Sequence, residues 1–238
     1  AGACVLAAGG DPSTTNTVEV VDPSDNPGNE TTAEQGIQID VQYHTLDNGL
    51  RVVLSRDTSI PTATVAVYYG VGFRNEPEGR TGFAHLFEHL MFEGSENLPG
   101  GTMTDLIYEA GGVQNGSTRF DFTNYFEVVP NNALEAVIWA EADRMARPII
   151  DQENLDAQRG VVRNAVFVNV INQPYGGWIW IDLPMLANEN WHNAHNFYGD
   201  LGDLDAASLE DVQTFFDTYY SVNNAVIAVV GDIDYDET

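Results

Sequence analysis

Three side chains suited to metal and acid–base chemistry fall within five residues: His85, Glu88 and His89, in the apolar run Gly82-Phe83-Ala84-His85-Leu86-Phe87-Glu88-His89-Leu90-Met91-Phe92. If the run is helical, positions i and i+4 lie roughly 40° apart around the axis, so both imidazoles face one way and can grip one metal ion. Glu88 falls on a neighbouring strip, placed to take a proton from metal-bound water rather than to ligate. Two ordinary helix histidines around a glutamate would give the same spacing. Burying all three among Phe83, Leu86, Leu90 and Phe92, however, is costly unless a metal or hydrogen-bond partners satisfy them.

The surrounding residues carry a family resemblance from about Val41 to the C-terminus. The matching pieces are Asp47-Asn48-Gly49-Leu50-Arg51-Val52, the HxxEH run continuing to Glu93-Gly94, Gly111-Gly112-Val113-Gln114-Asn115-Gly116-Ser117-Thr118 and Asp121-Phe122-Thr123-Asn124-Tyr125. They continue with Glu141-Ala142-Asp143-Arg144-Met145, Tyr219-Tyr220, Asn223-Asn224-Ala225-Val226 and Val230-Gly231-Asp232. In this order they resemble the N-terminal catalytic module of the pitrilysin/insulinase family, zinc metallopeptidases of the inverted HxxEH type. The resemblance implies Zn²⁺ held by His85 and His89, with Glu88 as general base in the hydrolysis of peptide bonds. It also implies an edge strand spanning Gly112, Asn115 and Thr118, along which an extended peptide or unfolded polypeptide pairs through its backbone. Relatives take an Arg/Tyr pair for substrate from a second homologous half or a partner subunit. The chain stops after the strand that ends the first module, so such a half is expected to be absent here.

One position departs from the family pattern. The third zinc ligand expected from the resemblance is a glutamate in the stretch Gln158-Arg159-Gly160-Val161-Val162-Arg163-Asn164-Ala165-Val166, and the matching residue is Ala165. Alanine cannot bind a metal. Gln158 stands where a supporting acidic residue often sits, so the outer shell is altered as well. Three explanations stay open: a deliberate substitution, a natural loss of activity, or a site completed elsewhere, for which His192 and His195 are the conceivable donors. The alternative to a zinc metalloendopeptidase is therefore a catalytically silent module of the same fold that binds peptides or serves a partner subunit.

Charge narrows the partners. With 9 basic residues, all arginine, against 36 acidic ones, the net charge is −27, which repels phosphate backbones and anionic membranes and attracts cationic peptides. Nucleic acid is excluded as a partner on this ground. Solubility or adaptation to salt would also account for acidic residues spread along the whole chain. The single cysteine, Cys4, rules out an intrachain disulfide. It follows Ala1-Gly2-Ala3, small residues that resemble the end of a bacterial lipoprotein signal, although Ala1 replaces the usual leucine; a cleaved signal remnant reads similarly. A lipid anchor at Cys4 would place the protein outside the cytoplasm, periplasmic or tethered to a membrane.

Residues 1–38, acidic and rich in Thr, Ser, Asn, Pro and Gly, read as a signal remnant and disordered tether, leaving residues 39–238 as one module. Strands are expected at Val41 to Leu46 and Leu50 to Ser55 around the Asn48-Gly49 turn, at Thr62 to Val71, Phe120 to Val129 and Ala225 to Val230. Helices are expected around the HxxEH run, at Met103 to Ala110, Asn132 to Ala146, Asn154 to Val170, Trp178 to Ala187, and from the Ser208 cap to Tyr220. Alternation of this kind predicts an α+β domain: one mixed, mostly antiparallel sheet with helices packed on one face.

Overall fold

The Asp47-Asn48-Gly49 turn folds back on itself, Gly49 adopting φ +87°, and sets the register of the first hairpin. A computed structural model describes residues 16–19 and 38–238. Its strands are β1 (Asn16–Glu19), β2 (Gln38–Thr45), β3 (Arg51–Arg56), β4 (Thr62–Tyr69), β5 (Val113–Thr118), β6 (Thr123–Pro130) and β7 (Ala225–Gly231). Its helices are α1 (Phe83–Leu90), α2 (Thr102–Glu109), α3 (Leu134–Ala146), α4 (Gln152–Val166), α5 (Leu183–Ala187), α6 (Trp191–Ala194), α7 (Leu201–Ala206) and α8 (Leu209–Tyr219). The sheet runs β1-β2-β3-β7-β4-β6-β5. Only β3 and β7 pair in parallel, so the sheet is mixed and mostly antiparallel, as the sequence predicts. β1, inside the stretch read as a tether, pairs antiparallel with the start of β2; Cys4 and the rest of that stretch lie outside the described residues.

Alternation decides which face is covered. Along β4, Ala63, Val65, Val67 and Tyr69 are buried under the helices, while Tyr68 on the opposite face is exposed. Phe83, Leu86, Phe87 and Leu90 of α1 pack into that core, and Phe87 stacks on Phe215 of α8 with ring centroids 5.2 Å apart. α8 begins as its sequence signals: Ser208 and Asp211 form a reciprocal capping box.

Several boundaries differ from the sequence reading by a few residues, and two have a clear local cause. β6 starts at Thr123 rather than Phe120, because Thr118 and Thr123 are the last register pair and Arg119 donates its N–H to the Phe122 carbonyl, closing a hairpin. The helix expected over Asn154–Val170 is capped by Asp151, whose side chain accepts from the Asn154 N–H, and it widens into a π-helical turn over Phe167–Ile171.

The Glu141-Ala142-Asp143-Arg144-Met145 motif ties α3 to the sheet. Arg144 is buried, bonded to Glu141 in its own helix and to Glu127 of β6 at 3.1 Å, and lies 4.7 Å from the Tyr125 ring centroid. Asp143 accepts from Ser95 Oγ at 2.5 Å and Asn97 Nδ2 at 2.7 Å, anchoring the loop that follows α1. Two carboxylates face one guanidinium, and burial, then the neighbouring Glu141, push the Glu127 carboxyl up to about 10. A folded-state value above the unfolded one means that stability is fully present below about pH 4.5 and is lost as pH rises toward 10. Glu127→Gln is therefore expected to be neutral at acid pH and stabilising by about 1–4 kcal/mol at pH 8–9, whereas Arg144→Ala costs about 3–5 kcal/mol. Urea denaturation of both variants across pH 4.5–9 measures the difference.

Candidate peptidase-type site

α1 carries the HxxEH residues, and a carboxylate from outside the helix orients its first turn. Gly82, the residue before the helix, sits at φ +85° with no side chain to cap it. Glu76, buried and six residues upstream, substitutes by accepting from the Gly82 N–H at 2.9 Å and the Ala84 N–H at 2.8 Å. A negative group at a helix N-terminus is stabilising. Glu76 also meets His195 Nε2 at 3.3 Å, while His195 Nδ1 contacts the Trp191 carbonyl at 3.1 Å. Burial alone would lower the His195 pKa, but the bonds to Glu76 and Trp191 raise it. His192 uses its Nδ1 against the Arg74 carbonyl at 3.0 Å. Both histidines conceived as substitute ligands thus have these local contacts.

His85 and His89 do lie side by side, with ring centroids 5.0 Å apart and planes at 75°. Burial, then the neighbouring His89, push the His85 pKa down to about 3, and burial lowers that of His89, so both imidazoles are neutral at pH 7. Glu88 accepts from Thr118 Oγ1 at 2.7 Å, and burial raises its pKa. Gly116 of β5 makes room beside it: a Cβ there would stand 3.2 Å from Glu88 Cγ and 3.1 Å from the Phe92 ring. The Tyr198 ring lies 5.5 Å from His85. Burial raises the Tyr198 pKa, the Arg119 charge opposes the shift and the Glu88 charge adds to it.

The structure redistributes the roles expected along β5. The Thr118 side chain is buried and donates to Glu88, at the closed end of the β5–β6 hairpin. Gly112 precedes the strand; its N–H is taken by the Ile107 carbonyl, and a Cβ there would strike the Val128 carbonyl at 2.7 Å. Asn115 is exposed on β5, its side-chain oxygen accepting from the Gly116 N–H. β5 pairs with β6 on one side only and is the sheet edge. Glu76 and Tyr198 escape sequence reasoning, since nothing in their spacing from the HxxEH run signals contact with it.

α4 packs against α1. Gln158 is buried and donates to Glu93 at 2.5 Å, four residues beyond His89. Ala165 lies two turns further along the same stripe of α4 and offers a methyl group. Among the described residues no third His, Cys, Asp or Glu forms a metal-holding cluster with His85 and His89. His85 Nδ1 is buried and has no partner among the described residues. The donor set present does not fit a catalytic zinc centre built on three protein ligands.

The family model described as Insulinase (Peptidase family M16) matches residues 51–174, more than half of the chain, and the model described as Peptidase M16 inactive domain matches residues 206–238. The chain belongs to the M16 family. It is 31% identical over 198 residues to the zinc protease PqqE of Helicobacter pylori, covering 80% of this chain and 43% of that protein. It is 25% identical to human cytochrome b-c1 complex subunit 1, covering 83% of this chain and 41% of that protein. The crystal structure of a protease from Helicobacter pylori superposes with a TM-score of 0.78 at 30% identity, over 83% of this chain and 47% of that one. The chain thus spans less than half the length of these relatives.

The Thr118–Glu88 bond generates a direct prediction. Thr118→Val leaves Glu88 without its side-chain donor and is expected to cost about 1.5–3 kcal/mol, while Thr118→Ser retains most of the stability. Guanidinium denaturation of the two variants distinguishes loss of the bond from loss of packing.

Proposed function

We propose that this chain is a peptide-binding module of the M16 family that captures extended polypeptide along β5 and, with alanine at position 165, does not itself hydrolyse it. The observation that carries this reading is the pairing of an open sheet edge beside Glu88 with a donor set that, among the described residues, is limited to two imidazoles. Backbone pairing to an edge strand needs no metal, and it reads main-chain groups common to every peptide. The retained residues have other contacts: Glu88 with Thr118 fastens α1 to β5, and the His85 ring lies beside those of Tyr198 and His89. Zn²⁺ would be the cofactor only with a carboxylate restored at 165, held then by His85, His89 and that group, and the chemistry it supplies is activation of water for peptide hydrolysis. A second homologous half or partner subunit would close over the bound peptide, and an extracytoplasmic location with a lipid anchor at Cys4 belongs to the same reading.

Two measurements test it. Ala165→Glu is expected to tighten zinc binding by more than about 100-fold over the unaltered chain, read by competition with a chromogenic chelator. A neutral extended peptide is expected to bind the unaltered chain without zinc and to lose binding when its backbone nitrogens are methylated. One tightly held zinc per unaltered chain, together with peptide cleavage that Glu88→Gln abolishes, would overturn the proposal.

A further inference from the structure

The 25 residues from Asn164 to Asn188 contain a single charged side chain, Asp182, in a chain that carries 36 acidic and 9 basic residues. Within this stretch Phe167, Val168, Ile171, Tyr175, Trp178, Ile179, Trp180, Leu183, Met185 and Leu186 are all exposed, Tyr175 at 89% and Leu186 at 75%. Scattered surface apolar residues are ordinary, but ten in one run of twenty form a strip of the kind that marks an interaction site. The strip continues toward the HxxEH residues through aromatic contacts: the Trp180 ring lies 5.7 Å from Phe197, and Phe197 lies 6.5 Å from His85.

Charge selects the occupant. The strip begins at the end of α4, whose two arginines are both taken: Arg159 pairs with Asp156 and Arg163 with Asp205. Asp182 within the strip and Glu189 just past its other end pair with no cation among the described residues, so the free charge along the strip is negative. A second copy of the chain would bring another net charge of −27 to the contact, and an anionic lipid surface would meet the same repulsion. A ligand carrying apolar side chains on one face and cations on the other satisfies both features. Flexible Met185 and the broad Trp178 and Trp180 rings suit contacts with varied apolar sequences.

We infer that the surface from Phe167 to Leu186 is a docking strip for cationic amphipathic peptide segments, continuous with the HxxEH site through Trp180 and Phe197. This deepens the peptide-binding reading, on which it rests for the role of β5, by naming the class of ligand. The apolar face of the segment covers the strip, and its cations meet the flanking carboxylates.

The test uses the whole chain and an 18-residue synthetic peptide of Leu and Lys at helical spacing, with the matching Leu/Glu peptide as control. Fluorescence titration is expected to show binding of the Leu/Lys peptide that weakens at least about tenfold between 50 and 500 mM salt, and no binding of the Leu/Glu peptide. The triple variant Trp178→Ser, Ile179→Ser, Leu186→Ser, its fold checked by circular dichroism, is expected to lose at least tenfold in Leu/Lys affinity while keeping the affinity for the neutral extended peptide. Equal binding of the two charged peptides, or Leu/Lys binding indifferent to the triple variant, would overturn the inference. So would strip-dependent binding to phosphatidylcholine vesicles that exceeds peptide binding, or strip-dependent dimerisation in light scattering. If the neutral peptide fails to bind while the Leu/Lys peptide binds through the strip, the edge-strand reading falls and the docking strip stands.

Discussion

Everything in this site depends on how α1 is pinned, and the pin is the buried Glu76 carboxylate at its N-terminus. A helix of eight residues has little stability of its own, and its first N–H groups need partners once they are buried. Gly82 has no side chain to supply one. Glu76 accepts from two of those N–H groups and is held in turn by His195, so a segment more than a hundred residues downstream is tied to the start of α1. With its N-terminus fixed there, and Phe83, Leu86, Phe87 and Leu90 in the core, the helix has one orientation available. That orientation puts His85 and His89 together and Glu88 against β5.

The same packing explains how an HxxEH run can persist where the third donor is absent. Glu88 bridges to Thr118, Gly116 leaves it room, and the His85 ring lies beside those of Tyr198 and His89. Each residue thus has a structural contact independent of any metal. Membership of the M16 family is compatible with this, because the relatives that align with the chain include both named zinc proteases and a cytochrome b-c1 complex subunit. Family and fold are shared across that set, whereas chemistry depends on a few donors in one place.

Much of the fold was legible. Period-two alternation in Thr62–Tyr69, the Asn48-Gly49 turn and the Ser208 capping box are local signals, and each is local because its physics involves neighbours in sequence. The Glu141-to-Met145 motif was recognisable as a string of letters, but its purpose was not. Arg144 bridges α3 to β6, and Asp143 holds the loop after α1, contacts that span 17 and 48 residues. The start of β6 was misplaced for a related reason. Phe120 and Phe122 look like strand residues, yet the hairpin closes where Thr118 meets Thr123.

The amino-acid sequence by itself determined the helix that presents two imidazoles and a carboxylate, the alanine at position 165 and the strong negative charge, since these follow from residue identity and helical spacing. Tertiary structure alone decided that the Thr118 hydroxyl serves Glu88, that Glu76 caps α1, and that His192 and His195 make their own local contacts. Those outcomes rest on contacts between residues distant in the chain, and no periodicity or spacing encodes which distant partner a buried polar group will find.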